Sequence, residues 1–336
     1  MRFRSDPTAI RGSIAPVVSP FTDDGAPDPD GLVRLIEFQL AAGSHGISLG
    51  GSTGEPGAQT VAERAAAIRL AADVVADRVP FLPGTGSARL DETLELTGIA
   101  RDAGADAVLV ITPYYARPTQ EALYAWYAQV ATAYPDLPIV IYNVPTRTAV
   151  DIAPATVGRL FRDFGNVVGI KETTRDFEHF SRVLHECGPE LLVWSGIELL
   201  CLPLLALGGV GFVSAVANIA PAAVAQMYDA AVAGDQDRAR ELHFRLHPLV
   251  DLVFTETNPA AVKWLLAQRG LLGSGFVRPP LIPLTEAGQA RAKALLAGAE
   301  DLLTRYSPTP SAPQAPPPGR VKHSLGAGFV PAADSE

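Results

Sequence analysis

The segment Asn166-Val167-Val168-Gly169-Ile170-Lys171-Glu172-Thr173-Thr174-Arg175-Asp176 is apolar from Val167 to Ile170 and stops abruptly on a lysine. A run so short and so rich in β-branched residues predicts a buried strand rather than a helix, with Lys171 at its C-terminal end. Only Lys263, Lys293 and Lys322 accompany it; arginine supplies the rest of the positive charge. A lysine can form a Schiff base once desolvation or neighbouring charge lowers its pKa, whereas an arginine cannot. The competing role for a lone lysine at a strand end is a side chain that snorkels to water.

Working outward, similar runs that end in Gly, Pro or a hydroxyl residue recur at Ser13 to Pro20, Gly46 to Gly51, Phe81 to Gly86, Ala107 to Pro113, Ile139 to Pro145, Leu191 to Gly196 and Gly211 to Val216. With Val167 to Lys171 they make eight. Helical periodicity fills the intervals, at 29–42, 61–76, 91–103, 119–133, 154–164, 176–187 and 198–207. Continuous apolar strands alternating with helices predict a parallel sheet covered by helices, and eight such units close into an α/β (β/α)₈ TIM barrel. The alternative, a doubly wound open sheet, would carry an early Gly-x-Gly-x-x-Gly or Gly-Lys-Ser/Thr turn, and neither is present. After Val216 the pattern is helical from Pro221 to about Leu303, with caps and breaks at Gly234, Asn258-Pro259 and Gly270 to Gly275, more than an eighth barrel helix needs. The expected organisation is a leader over 1–12, the barrel over 13–233, an appended helical subdomain over 234–306 and a disordered tail over 307–336, whose proline-rich composition cannot build a core.

The 336 residues are 48% hydrophobic with a mean hydropathy of +0.17, enough for a substantial core. A net charge of -9 and a pI near 5.2 argue against a nucleic-acid groove. Cys187 and Cys201 make no Cys-x-x-Cys pair or disulfide framework; both are expected to be buried fillers in a reducing cytoplasm. Residues 1–11 hold three arginines and no apolar core of a signal peptide, and no stretch reaches about 18 apolar residues, so neither export nor membrane insertion is expected.

In a barrel the catalytic groups lie at the C-terminal strand ends. There the chain carries Gly50-Gly51-Ser52-Thr53-Gly54-Glu55, Thr112-Pro113-Tyr114-Tyr115, Tyr142-Asn143-Val144-Pro145-Thr146-Arg147 and Lys171. An amine, phenols, hydroxyls and an arginine at one mouth suit imine chemistry on a keto acid. Two other readings compete. Gly50-Gly51-Ser52-Thr53-Gly54 satisfies the short Gly-x-Ser-x-Gly elbow of serine hydrolases, yet His179, His185, His243 and His247 all fall within expected helices rather than on a late loop. His243 and His247 share a helix face at metal-ligand spacing but lack an intervening Glu and an obvious third ligand. No metal and no organic cofactor is expected.

Gly-Ser-Thr-Gly-Glu (51–55), Thr-Pro-Tyr-Tyr with Arg117-Pro118, Tyr-Asn-Val-Pro-Thr-Arg-Thr (142–148) and Gly-Ile-Lys-Glu-Thr (169–173) together resemble the dihydrodipicolinate synthase and N-acetylneuraminate lyase family of class I aldolases. The resemblance runs in order from about Gly12 to Leu303. It implies that Lys171 forms the Schiff base with pyruvate and that Tyr142 moves protons to and from it. It further implies that Ser52 and Thr53 bind the pyruvate carboxylate and join the proton relay, with Gly51, Gly196 and Val213 completing the pocket. Tyr115 is then the tyrosine that a neighbouring subunit inserts into the relay, in a homodimer or homotetramer. Arg147 stands where the synthases bind the carboxylate of aspartate semialdehyde, which favours a synthase. Ser52 in place of threonine, and Thr173-Thr174-Arg175 where the synthases carry Ala-Ser/Thr-Gly, depart from that pattern. They leave room for a lyase that releases pyruvate from another 2-oxo acid, or for a catalytically inactive keto-acid binder. Val61 and Ala88 replace the histidine and asparagine of lysine-regulated synthases, which implies that lysine does not inhibit.

Overall fold

The computed structural model describes residues 3–306; the tail expected over 307–336 lies outside them. Seven strands form one sheet: β1 (Gly12–Pro16), β2 (Gly46–Ser48), β3 (Val108–Ile111), β4 (Ile139–Asn143), β5 (Val167–Glu172), β6 (Leu192–Ser195) and β7 (Gly211–Val213). Their order is β2-β1-β7-β6-β5-β4-β3, and every pairing is parallel.

The expected strand at Phe81 to Gly86 does not form as a regular strand. It bridges β2 and β3 instead, through isolated parallel contacts Ile47–Phe81 and Gly84–Leu109 and hydrogen bonds from Leu82 N to Ile47 O (2.9 Å) and from Leu109 N to Pro83 O (2.9 Å). Pro80 and Pro83 have no N–H to contribute to a ladder, which breaks the strand while leaving its carbonyls in register. This segment occupies the gap between the two sheet edges and closes the ring.

The helices follow the expected spacing, and side chains cap them: Asp28 for Pro29–Ala41, Thr119 for Gln120–Ala133, Asp176 for Phe177–Cys187, and a reciprocal Thr60–Glu63 capping box for Val61–Val75. The helices break at Gly234, ahead of Ala260 and after Gly270 as expected, but the last break runs on to residue 285 instead of ending at Gly275. Helices cover Pro221–Val232, Gln236–Arg245, His247–Val253, Ala260–Gln268 and Glu286–Leu296, but residues 271–285 are non-helical. Gly273, Gly275, Pro279, Pro280 and Pro283 account for this, and Arg278 ties the stretch to Glu63 (2.7 Å) and to the carbonyl of Gly25 (2.7 Å). The described residues gather into one compact unit that includes both the N-terminal residues and 234–306. Near the N-terminus the Arg4 guanidinium donates to the carbonyls of Arg101 and Ala105, at the end of the helix Leu90–Asp102.

Two apolar layers result. Ile141, Ile170 and Val193 face the helices, whereas Val140, Tyr142, Leu192, Trp194 and Val213 fill the barrel. The strand period of two therefore turns Tyr142 inward at the top of β4. Cys201 is buried, but Cys187 is only half-buried, which corrects the expectation of two buried fillers. Burial nevertheless pushes the Cys187 thiol up to about 11 and the Cys201 thiol well above its ordinary value, so neither is a nucleophile at neutral pH.

Candidate active site

Sheet register determines the central pair. Tyr142 on β4 stands opposite Lys171 on β5, and Lys171 stands opposite Trp194 on β6. The Lys171 side chain is buried, with Nζ 4.1 Å from the centroid of the Tyr142 ring. The Tyr142 hydroxyl lies 3.1 Å from Ser52 Oγ. Burial alone would push the Tyr142 phenol up; the Lys171 cation, the Ser52 hydrogen bond and the Arg147 guanidinium outweigh it and bring the phenol below its ordinary value.

Glycines bring the backbone this close. Gly50 adopts φ +68°, and a Cβ there would stand 2.9 Å from the Gly84 carbonyl oxygen, so the turn that presents Ser52 requires glycine. A Cβ on Gly196 would fall 2.7 Å from Lys171 Cε and 2.5 Å from Thr173 Oγ1, so glycine keeps open the floor beside the amine.

A cavity of about 800 Å³ opens over this floor, lined by Ser52, Thr53, Tyr142, Arg147, Lys171, Thr173, Arg175, Gly196 and Val213 among others. A second, of about 380 Å³, lies across the Ser52–Tyr142 pair and is bordered by Gly51 and Tyr114. Ser52, Tyr142, Arg147 and Asn258 line both. The structure thus brings together every sequence-derived site residue except Tyr115. That side chain is 94% exposed, on a backbone with φ +74°, and borders neither cavity. A non-glycine residue in the left-handed region is uncommon, and here it projects a large phenol away from its own chain's site. His243 and His247 stack edge to face at 5.2 Å, and among the described residues no group of three or more His, Cys, Asp or Glu could hold a metal ion.

Sequence reasoning missed three features. Glu55 and Lys263 form a fully buried ion pair at 2.6 Å, in which burial pulls the lysine down to about 8 while the carboxylate opposes it. Asn258 donates to Thr53 Oγ1 at 2.9 Å. Behind Lys171, the Glu172 carboxylate is fully buried and accepts from Asn143 Nδ2 (2.9 Å) and from the backbone N–H of Thr173 (2.9 Å), with His179 Nε2 3.1 Å away. Only the lysine count hinted at the first; the partners in the other two have no local sequence signature.

The His179 imidazole has a consequence for stability. Burial works against its charged form, yet the Glu172 carboxylate wins and raises the imidazole above 6.5. A raised folded-state pKa adds stability that is fully present below the unfolded value and is lost as pH climbs through the folded one. Denaturant midpoints are therefore expected to fall as pH rises from 6.5. The slope should vanish in His179→Gln; an unchanged slope in that variant would contradict the assignment.

The model of the dihydrodipicolinate synthetase family matches residues 9–299. Over 282 residues the chain is 50% identical to a 4-hydroxy-tetrahydrodipicolinate synthase of Thermus thermophilus, an alignment covering 84% of this chain and 94% of that protein. The crystal structure of dihydrodipicolinate synthase from Aquifex aeolicus superposes with a TM-score of 0.84 at 36% identity, covering 88% of this chain and 100% of the other. A chloride-inhibited dihydrodipicolinate synthase from Acinetobacter baumannii, complexed with pyruvate, gives 0.83 at 37% identity, with 87% and 99% covered.

Proposed function

The chain belongs to the dihydrodipicolinate synthetase family, and from that membership we propose that it condenses pyruvate with aspartate 4-semialdehyde through an imine on Lys171, as a 4-hydroxy-tetrahydrodipicolinate synthase. The observation that carries this reading is the buried Lys171 amine 4.1 Å over the ring of a phenol that is itself hydrogen-bonded to Ser52.

The unprotonated Lys171 Nζ adds to C2 of pyruvate. The carbonyl oxygen takes protons through Tyr142 and leaves as water, giving a protonated imine. Loss of a C3 proton forms the enamine, with the imine nitrogen as electron sink, so the chemistry requires no separate cofactor. The enamine carbon adds to the aldehyde carbon, whose oxygen takes a proton and becomes a hydroxyl. The amino group of the second substrate then adds to the imine carbon, closes the ring and releases Lys171. Thr53 and Ser52 hold the pyruvate carboxylate and connect it to the relay. Tyr115, turned outward in its own chain, serves the relay of a second copy, which makes a dimer the functional unit. Among the described residues no helix is long and apolar enough to cross a membrane. Two free thiols suit a reducing cytoplasm as the place where the reaction runs.

Arg147 supports aspartate semialdehyde as the aldehyde. Its short helix, Pro145–Thr148, follows β4 directly and puts the guanidinium on the wall of both cavities. Arg147→Ala is expected to raise the KM for aspartate semialdehyde about 10- to 100-fold, the worth of a charge-assisted hydrogen bond, and to leave borohydride trapping of pyruvate intact. Unchanged aspartate semialdehyde kinetics in that variant would remove the main support for a synthase.

One observation favours a second reading. Thr173 Oγ1 is buried without a hydrogen-bond partner, beside Lys171 Cε at the open floor over Gly196. A hydroxylated 2-oxo acid cleaved to pyruvate and an aldehyde would give that hydroxyl a partner. A panel of 4-hydroxy-2-oxo acids, with pyruvate release as the readout, separates the two.

A further inference from the structure

We infer that Asn258, ahead of the helix Ala260–Gln268, is a positioning residue that aims the Thr53 hydroxyl proton at the pyruvate carboxylate; this rests on the reading of Thr53 as part of the carboxylate site. Asn258 is 4% exposed, and its Nδ2 donates to Thr53 Oγ1 at 2.9 Å across 205 residues of chain. A threonine hydroxyl has one proton and two lone pairs. Once its oxygen accepts from the amide, its own proton is directed elsewhere, and Thr53 borders the cavity that holds Lys171. Anion binding demands that polarity: a hydroxyl that donated to Asn258 would turn its lone pairs toward the carboxylate.

The other half of the amide points the same way. Asn258 Oδ1 is buried with no partner, so the side chain is held there for its N–H rather than for its carbonyl. The main-chain carbonyl of the same residue accepts from Arg147 Nη2 at 3.4 Å. One C-terminal residue therefore touches both groups assigned to carboxylates.

The surrounding structure fixes the contact. On the helix that follows Asn258, Lys263 places Nζ 2.6 Å from Glu55 Oε1 and 4.1 Å above the Phe21 ring. Glu55 sits two residues after Thr53 with φ +53°, and its other oxygen accepts from Arg278 N at 2.9 Å. A glutamate in the left-handed region is kept there by these two partners. Asn258 and the first turn of the helix after it thus clamp the 53–55 turn at two points, and Asn258 is the point that faces the site.

The test measures half-saturation of borohydride trapping and steady-state constants with pyruvate and with methyl pyruvate, for wild type, Asn258→Ala, Asn258→Asp, Thr53→Val and the Asn258→Ala/Thr53→Val pair. Loss of one oriented hydrogen bond is expected to raise half-saturating pyruvate about 5- to 10-fold in Asn258→Ala, with kcat within about twofold. The isosteric Asn258→Asp should do worse, because it accepts the Thr53 proton and adds a negative charge. Methyl pyruvate should be indifferent to both, and Asn258→Ala should add nothing once Thr53 is valine. A folded Asn258→Ala or Asn258→Asp protein with wild-type pyruvate half-saturation, or an equal loss in the Thr53→Val background, overturns the inference while the imine mechanism stands. Wild-type protein that traps no pyruvate overturns both.

Discussion

Lys171→Ala is expected to lower turnover by at least about 10,000-fold, the scale of losing a covalent nucleophile, and to abolish any pyruvate adduct. Conventional acid–base catalysis could not compensate, because without the amine there is no imine to accept the electrons of the C3–H bond. The substitution should leave the barrel folded. Lys171 is at the end of β5, where its side chain faces the cavity and its backbone pairs with β4 and β6. It also has a second readout, independent of activity. Burial pushes the Tyr142 phenol up and the Lys171 charge is the largest influence opposing it, so removing the amine should raise the phenol. Ultraviolet difference titration of Lys171→Ala against wild type, with Tyr142→Phe to identify the signal, checks this. Activity within about tenfold of wild type would show that the imine is not the reaction's route.

Tyr142→Phe should cost about 100- to 10,000-fold in kcat, the usual contribution of a positioned proton shuttle. This variant isolates the hydroxyl. The ring that lies 4.1 Å from Lys171 Nζ remains, so the amine keeps its packing and its cation–π neighbour. What disappears is the 3.1 Å contact with Ser52 and the route by which protons reach the departing oxygen. The adduct should therefore still form on Lys171, but slowly, and a rapid-quench time course should show imine formation slowed alongside turnover. A loss below about tenfold would move the relay away from Tyr142. Ser52→Ala should show a smaller defect of the same kind, since Tyr142 then loses a partner but retains its proton.

Most of this site could be read from the chain because barrel geometry gathers the ends of local motifs. Each strand-end stretch announces itself by β-branched residues followed by Gly, Pro or a hydroxyl, and the fold brings those ends to one mouth. The reading weakened where proline altered a local rule. Pro80 and Pro83 turned an expected strand into a pair of bridges, and the prolines of 279–283 carried the break expected at Gly270 to Gly275 on to residue 285. Tyr115 belonged to a local motif whose family resemblance assigns it to a neighbouring subunit's site; the φ of +74° that leaves it exposed on its own chain is a backbone detail that the sequence does not display. Pairs distant in sequence were invisible. Asn258 meets Thr53 across 205 residues and Lys263 meets Glu55 across 208, with no periodicity linking them. Their importance comes from burial: an ammonium at 0% exposure must have a partner, and that requirement places the C-terminal helices on the 53–55 turn.

The most direct test of the central claim is borohydride reduction in the presence of pyruvate, read by intact mass and then by peptide mapping. The account predicts one reduced pyruvate adduct per chain, on the peptide carrying Lys171, and none in Lys171→Ala. Folded wild-type protein with no adduct, or with the adduct on Lys263 or Lys293, would contradict it.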